Sequence, residues 1–128
     1  MFLRKIAMSG NKQGGLTTHV LDTMHGTPAE GMEIHFYEID NGERLPIKIV
    51  KTNADGRVDA PLMQGDEFRF GTFELEFHVG DYYRAKGIEL PKPAFIDVVP
   101  LRFGTYDHSH YHVPLLVSPY SYSTYRGS

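Results

Sequence analysis

Residues 72–79 read TFELEFHV, and this stretch decides the fold. Phe73, Leu75, Phe77 and Val79 alternate with Thr72, Glu74, Glu76 and His78, so an extended chain turns four apolar side chains one way and four polar ones the other. That is a strand with one face in a core and one in water. Working outward, the same period of two, punctuated by turn residues, predicts strands over 16–22 (LTTHVLD), 32–39 (MEIHFYEI), 44–52 (RLPIKIVKT), 94–101 (AFIDVVPL), 109–117 (SHYHVPLLV) and 120–126 (YSYSTYR). Between 32–39 and 44–52 lies Asn41-Gly42, a pair that tolerates positive φ and predicts a tight type I′ hairpin. Helical period is confined to GDYYRAKGIEL, residues 80–90, where Asp81 caps a short helix and Gly87 stops it. Seven or eight strands and one short helix predict an all-β fold, a two-sheet antiparallel β-sandwich.

A chain of 128 residues is long enough to bury a core of its own, and no repeat or linker divides it. A flexible head, 1–15, precedes one domain, 16–128. With no cysteine, disulfides, thiolate metal sites and cysteine nucleophiles are excluded together. A formal charge of -3 with interspersed signs leaves no basic stripe for nucleic acid. No stretch approaches the roughly 18 apolar residues of a membrane span, and MFLRKIAMSGNKQGG at the start lacks the apolar run of a secretory signal. The expected setting is the cytoplasm.

HSHYH, residues 108–112, sets three imidazoles at spacing two. Three histidines in that pattern could ligate zinc, act as bases, or decorate a surface. The alternation places Tyr111, Val113, Leu115 and Val117 in the core, leaving His112, Pro114 and Leu116 on the outer face. Pro114 offers no amide donor, so the strand there is an edge or has its amide side unpaired. His108 falls in the preceding loop and reads as solvated; His25, His35 and His78 read as surface residues. Ser118-Pro119 makes the turn into a last strand of alternating tyrosine and serine.

Three separated segments carry a further signal: LTTHVLDTMHGTPAEG (16–31), KTNADGRV (51–58) and YHVPLLVSPYSYSTYRGS (111–128). Together they resemble the transthyretin-like 5-hydroxyisourate hydrolases, and the closing YRGS is what separates those hydrolases from the hormone-carrying transthyretins. The resemblance implies a transthyretin-like β-sandwich assembled as a homotetramer, with active sites in a channel between dimers. It implies hydrolysis of 5-hydroxyisourate, opening the six-membered ring to give 2-oxo-4-hydroxy-4-carboxy-5-ureidoimidazoline in urate degradation, without a cofactor. The family's functional residues fall on His19, Arg57, His112 and Ser128, with Tyr125 added to the set that binds substrate.

The chemistry of those residue types fits. A strand histidine such as His19 is by itself an ordinary surface group, yet a neutral imidazole is also among the few side chains that take a proton from water near neutral pH. Arg57 follows a turn and would otherwise be a solvated turn residue, but its planar fork suits a ring bearing carbonyls and delocalised charge. Ser128 would orient an imidazole or a substrate amide. Two rival readings remain at this stage: a non-catalytic carrier of a small aromatic ligand, and a zinc-dependent hydrolase. Adventitious zinc on His19, His110 and His112 is a further expectation.

Overall fold

The computed structural model describes residues 14–127. Most of the expected head and Ser128 lie outside them. Two sheets pack face to face. The first has the order β2-β1-β8-β9, with β5 also pairing β1, and the second has the order β4-β3-β6-β7. In chain order the strands are β1 (Gly15–Asp22), β2 (Thr27–Pro28), β3 (Glu33–Asp40), β4 (Glu43–Lys51), β5 (Met63–Gln64), β6 (Gly71–His78), β7 (Val98–Thr105), β8 (His110–Ser118) and β9 (Ser121–Thr124). One helix, α1 (Val79–Ala85), follows β6 directly. The chain has the expected two-sheet, one-helix β-sandwich architecture.

The period of two works as the sequence predicts. Phe73, Leu75 and Phe77 of β6 are buried against Ile34 and Phe36 of β3, Leu16 and Val20 of β1, and Leu115 and Val117 of β8. Each fully buried Leu, Ile, Val or Phe removes enough apolar surface to stabilise by about 1.5–3 kcal/mol, which makes the alternation a strong constraint on register. Asn41 at φ 52° and Gly42 at φ 80° form the left-handed pair that joins β3 to β4.

Three details depart from the sequence reading. The antiparallel expectation fails at one ladder: β1 and β8 run parallel, because the two strands are joined through the whole second sheet rather than by a hairpin. The strand expected over 94–101 lies at Val98–Thr105, where Val99, Leu101 and Phe103 align with Phe77, Leu75 and Phe73 of β6. Residue 79, expected to end a strand, opens α1 while staying buried; the N-cap position is His78, and Asp81 sits in the first turn, ion-paired to Arg84 at 3.0 Å. The helix stop at Gly87 is as expected, with φ 83°. Of the two placements the sequence allows Pro114, the second holds: β8 is not an edge strand, and Pro114 lies beyond the last β9 ladder pair, Leu115 with Thr124.

The helix is fixed to the first sheet by a buried carboxylate. Asp22, 1% exposed, accepts hydrogen bonds from the Tyr82 and Tyr83 hydroxyls, each at 2.8 Å, and from His25 Nδ1 at 2.6 Å. Burial alone would raise its pKa, but those donors outweigh it and hold the carboxyl below the usual range. Both tyrosine hydroxyls are pushed upward by burial and by the facing carboxylate.

Candidate active site

The outer face of the first sheet gathers the chemistry. Thr17 and His19 project from β1, half-buried, between the buried Leu16, Thr18 and Val20. The parallel register sets Thr17 beside His112 and His19 beside Pro114. The rings of His19 and His112 lie 6.2 Å apart. The cleft beside them, about 380 Å³, is lined by Thr17, Thr18, Arg57, Val58, His110 and His112.

Arg57 reaches this face because of the turn before it. Asn53 closes the loop: its Oδ1 accepts the Asp55 and Arg57 amides at 2.9 and 3.1 Å, and its own amide donates to the Arg57 carbonyl at 2.7 Å. Gly56 then presses against β1, its carbonyl accepting the Val20 amide at 2.8 Å. At φ 76°, with a Cβ position only 2.4 Å from the Val20 carbonyl oxygen, no other residue fits without displacing the strand. The result is a bridge between His19 and Arg57.

The two imidazoles are held differently. His19 Nε2 donates to the Asp55 carbonyl at 3.0 Å, so in the neutral ring the lone pair is on Nδ1. His112 Nδ1 lies 2.8 Å from Thr17 Oγ1, and the same hydroxyl lies 3.0 Å from Nε2 of the exposed His110. One hydroxyl proton between two ring nitrogens makes a directional chain: when His112 donates to Thr17, Thr17 donates to His110, and the lone pair of His112 moves to Nε2. Both site histidines are pushed below the ordinary histidine pKa, first by burial and then by the positive charge of Arg57; His19 and His110 add to the effect at His112. Both shifts favour the neutral ring.

The closing segment returns to His112. The Gly127 amide donates to the His112 carbonyl at 2.8 Å, and a Cβ at Gly127 would stand 3.0 Å from the His112 ring. Arg126 anchors this return: its guanidinium lies 4.2 Å over the Tyr111 ring and donates to Ser109 Oγ at 2.7 Å and the Tyr106 hydroxyl at 3.1 Å. Tyr125 is 60% exposed and borders a second groove with Tyr106, Tyr111 and Arg126. His19, Arg57 and His112 are thus brought together, Tyr125 lies on the neighbouring groove, and Ser128 follows Gly127 outside the described residues. His108 is less bare than expected, its ring 4.8 Å from that of Phe70.

Thr17 and Asn53 are the functional positions that the sequence reading passed over. Thr17 had a signal, being two residues before His19 on the same face, but its partners lie 93 and 95 residues away. The expected zinc trio fares differently. Among the described residues, the group of three potential ligands whose atoms lie within 4.8 Å of one another is Glu33, His35 and His78, rather than His19, His110 and His112.

Residues 16–127 match the family model described as the HIUase/Transthyretin family. The chain belongs to this family. It is 60% identical over 119 residues to 5-hydroxyisourate hydrolase 2 of Rhizobium meliloti (strain 1021), covering 92% of this chain and 99% of that protein. The solved 5-hydroxyisourate hydrolase of Klebsiella pneumoniae is 30% identical with a TM-score of 0.75, over 91% of this chain and all of that one. Sea bream transthyretin, solved in complex with thyroxine, is 28% identical with a TM-score of 0.78, over 88% of this chain and 94% of that one.

Proposed function

We propose that this protein hydrolyses 5-hydroxyisourate, opening the six-membered ring by water attack on a ring amide. The observation that carries the reading is the gathering of His19, His112 and Arg57 beside one cleft, the two imidazoles 6.2 Å apart and His19 bridged to Arg57. His19, with its Nε2 proton held by the Asp55 carbonyl, is the base: Nδ1 takes a proton from the attacking water. The carbonyl carbon gains the water oxygen, and the oxyanion that forms is stabilised by Arg57, which also orients the ring. His112, in the tautomer whose Nδ1 accepts from Thr17, gives its Nε2 proton to the departing ring nitrogen as the carbon–nitrogen bond breaks. In the same step Thr17 gives a proton to Nδ1 and is resupplied by His110 from the solvent side, and His19 then releases its proton to solvent. Ser128 orients substrate or imidazole, and Tyr125 contacts the substrate from the neighbouring groove. No step calls on a cofactor.

The assembly belongs to the same proposal. Tyr106, Tyr120, Tyr122, Tyr125 and Val98 are all large and exposed, and all belong to or flank the edge strands β7 and β9. A homotetramer covers them and walls the open cleft with a second copy. The cytoplasmic setting is part of this reading and fits a chain free of cysteine. A carrier would present an apolar site, whereas this cleft is lined by threonine, arginine and histidine.

The test is to add the protein to freshly generated 5-hydroxyisourate and follow its ultraviolet decay. An enzyme accelerates the decay in proportion to protein concentration. Decay at the spontaneous rate, with ligand retained by the protein, sinks the hydrolase in favour of the carrier.

A further inference from the structure

The outer face of the second sheet carries a twin motif: Glu33-Ile34-His35 in β3 and Glu76-Phe77-His78 in β6. The antiparallel register pairs His35 with Glu76 and Ile34 with Phe77, and two residues on from the first pair it sets Glu33 level with His78. Ile34 and Phe77 point into the core, so the four polar side chains form a square on two central strands, turned away from the catalytic face.

The electrostatics of that square are incomplete. His35 Nε2 lies 2.6 Å from Glu33 Oε2, while its Nδ1 faces Glu76 Oε1 at 3.7 Å. His78 Nε2 lies 3.1 Å from the same Glu76 oxygen, and its Nδ1 is 4.0 Å from Asp81 Oδ2. Each ring has a carboxylate near both nitrogen edges, yet a neutral imidazole has only one N–H, so a lone pair on each faces an acceptor; the Tyr37 hydroxyl, 3.5 Å from His35 Nδ1, donates to Glu76 Oε1 at 3.3 Å. Charging both rings removes that conflict only by setting two cations side by side, with ring centroids 4.4 Å apart. One divalent cation satisfies both rings and the carboxylates at once.

The geometry is close to what such an ion needs. One ligand atom each from Glu33, His35 and His78 lies within 4.8 Å of the others. Tetrahedral zinc with bonds of about 2.0–2.2 Å sets its ligands roughly 3.5 Å apart, inside the 4.8 Å span of the three atoms, and Glu33 Oε2 must back away from its 2.6 Å contact with His35 Nε2 to reach it. Glu33, with 43% of its side chain exposed, is free to supply that movement, while the histidines are fixed by the sheet at 20–21% exposure. Glu76 is held by Arg44 Nη1 at 2.7 Å and is placed to orient the imidazoles from behind. The cluster borders a cleft lined by Glu30, Lys51 and Asp81, which gives the ion a way in and water a coordination position. We propose that Glu33, His35 and His78 form a site for a divalent transition-metal ion of the zinc type, separate from the catalytic face. Two imidazoles among the ligands favour zinc, copper or nickel over magnesium or calcium.

The probe is zinc chloride alone, titrated by calorimetry into metal-stripped full-length protein. Because His19, His110 and His112 offer rival imidazoles, the titration is repeated on His112→Asn. The expected result is one zinc per chain, retained in His112→Asn, at least thirtyfold weaker in His35→Asn and His78→Asn, and about tenfold weaker in Glu33→Gln. Hydroxyisourate turnover of these last three variants stays within twofold of the parent. Glu33→Gln alters an exposed side chain and keeps the measurement decisive even if a histidine variant folds poorly. Zinc binding lost in His112→Asn, unchanged in Glu33→Gln and His78→Asn, or absent at millimolar zinc overturns the proposal, and none of these outcomes bears on the hydrolase reading.

Discussion

The two outer faces of the sandwich use the same residue type to opposite ends. On the first sheet, His19 and His112 stand 6.2 Å apart between rings, and the strongest charge effect on both is that of the Arg57 guanidinium. On the second, His35 and His78 stand 4.4 Å apart among Glu33, Glu76 and Asp81. A strand supplies only the spacing; neighbours on adjacent strands supply the chemistry. A cation keeps imidazoles neutral and ready to accept a proton, whereas carboxylates make the same pair a place for a cation.

The largest expected effect tests that division directly. His19→Asn and His112→Asn should each lower kcat/KM by about two to four orders of magnitude, the range for losing a positioned acid or base. His35→Asn and His78→Asn on the other face should leave kcat/KM within about twofold. Steady-state rates of the four variants decide the matter. Equal losses on both faces would dissolve the comparison.

Arg57 sharpens it. Arg57→Lys keeps the charge and loses the planar fork, and should cost about ten- to a hundredfold in kcat/KM. Arg57→Gln loses the charge as well, which has a consequence in pH. Burial and Arg57 depress the pKa of both site histidines, so the rings stay neutral, and the enzyme active, below the ordinary histidine value of about 6.5. The acid limb of kcat/KM should therefore fall below that value in the parent protein. In Arg57→Gln it should move to higher pH. A limb that stays in place would show that the guanidinium does not act on the imidazoles.

The closing segment comes next in size. Deleting residues 126–128 should lower turnover more than tenfold, since it removes Ser128 and the Gly127 contact against His112. The melting temperature should shift by only a few degrees, because Arg126 is exposed and its bonds are surface bonds. Enzyme assays beside thermal melts separate the two. Unchanged turnover would make the segment a simple cover for β8.

How far the sequence reveals this arrangement depends on how local each signal is. The alternation over residues 72–78 and the Asn41-Gly42 turn are complete within a few residues, and both hold, except that Glu74 is buried under Arg44 and Arg102 and Val79 passes into α1. The β7 strand is displaced because 94–101 alternates about as well as 98–105; cross-strand alignment of Val99, Leu101 and Phe103 with β6 decides, and no single segment contains it. His19, Arg57 and His112 are legible through motif resemblance, while their mutual geometry depends on the β1–β8 register. Asp22 reads as an ordinary strand end, yet it is buried under two tyrosines from a helix 60 residues on. His35 and His78 each read as a surface strand histidine; only the register between β3 and β6 makes them a pair.

Thr17 is the smallest effect and the finest test of the catalytic face. Its hydroxyl links His112 to His110 at 2.8 and 3.0 Å, so it both fixes the His112 tautomer and relays a proton to His112 from the solvent side. Thr17→Val keeps the shape and removes both functions. It should lower kcat by about tenfold with KM nearly unchanged, while Thr17→Ser, which restores the hydroxyl, should recover most of the rate. His110→Asn should cost less than Thr17→Val, because Thr17 still fixes His112 when the outer end of the chain is gone. His108→Asn, with its ring against Phe70, should cost nothing measurable. If hydroxyl and imidazole act as one chain, the double variant Thr17→Val with His110→Asn should be no slower than Thr17→Val alone, since a chain already cut at its first link loses nothing at its second. Additive losses would mean that His110 serves the substrate directly and that Thr17 serves only the orientation of His112.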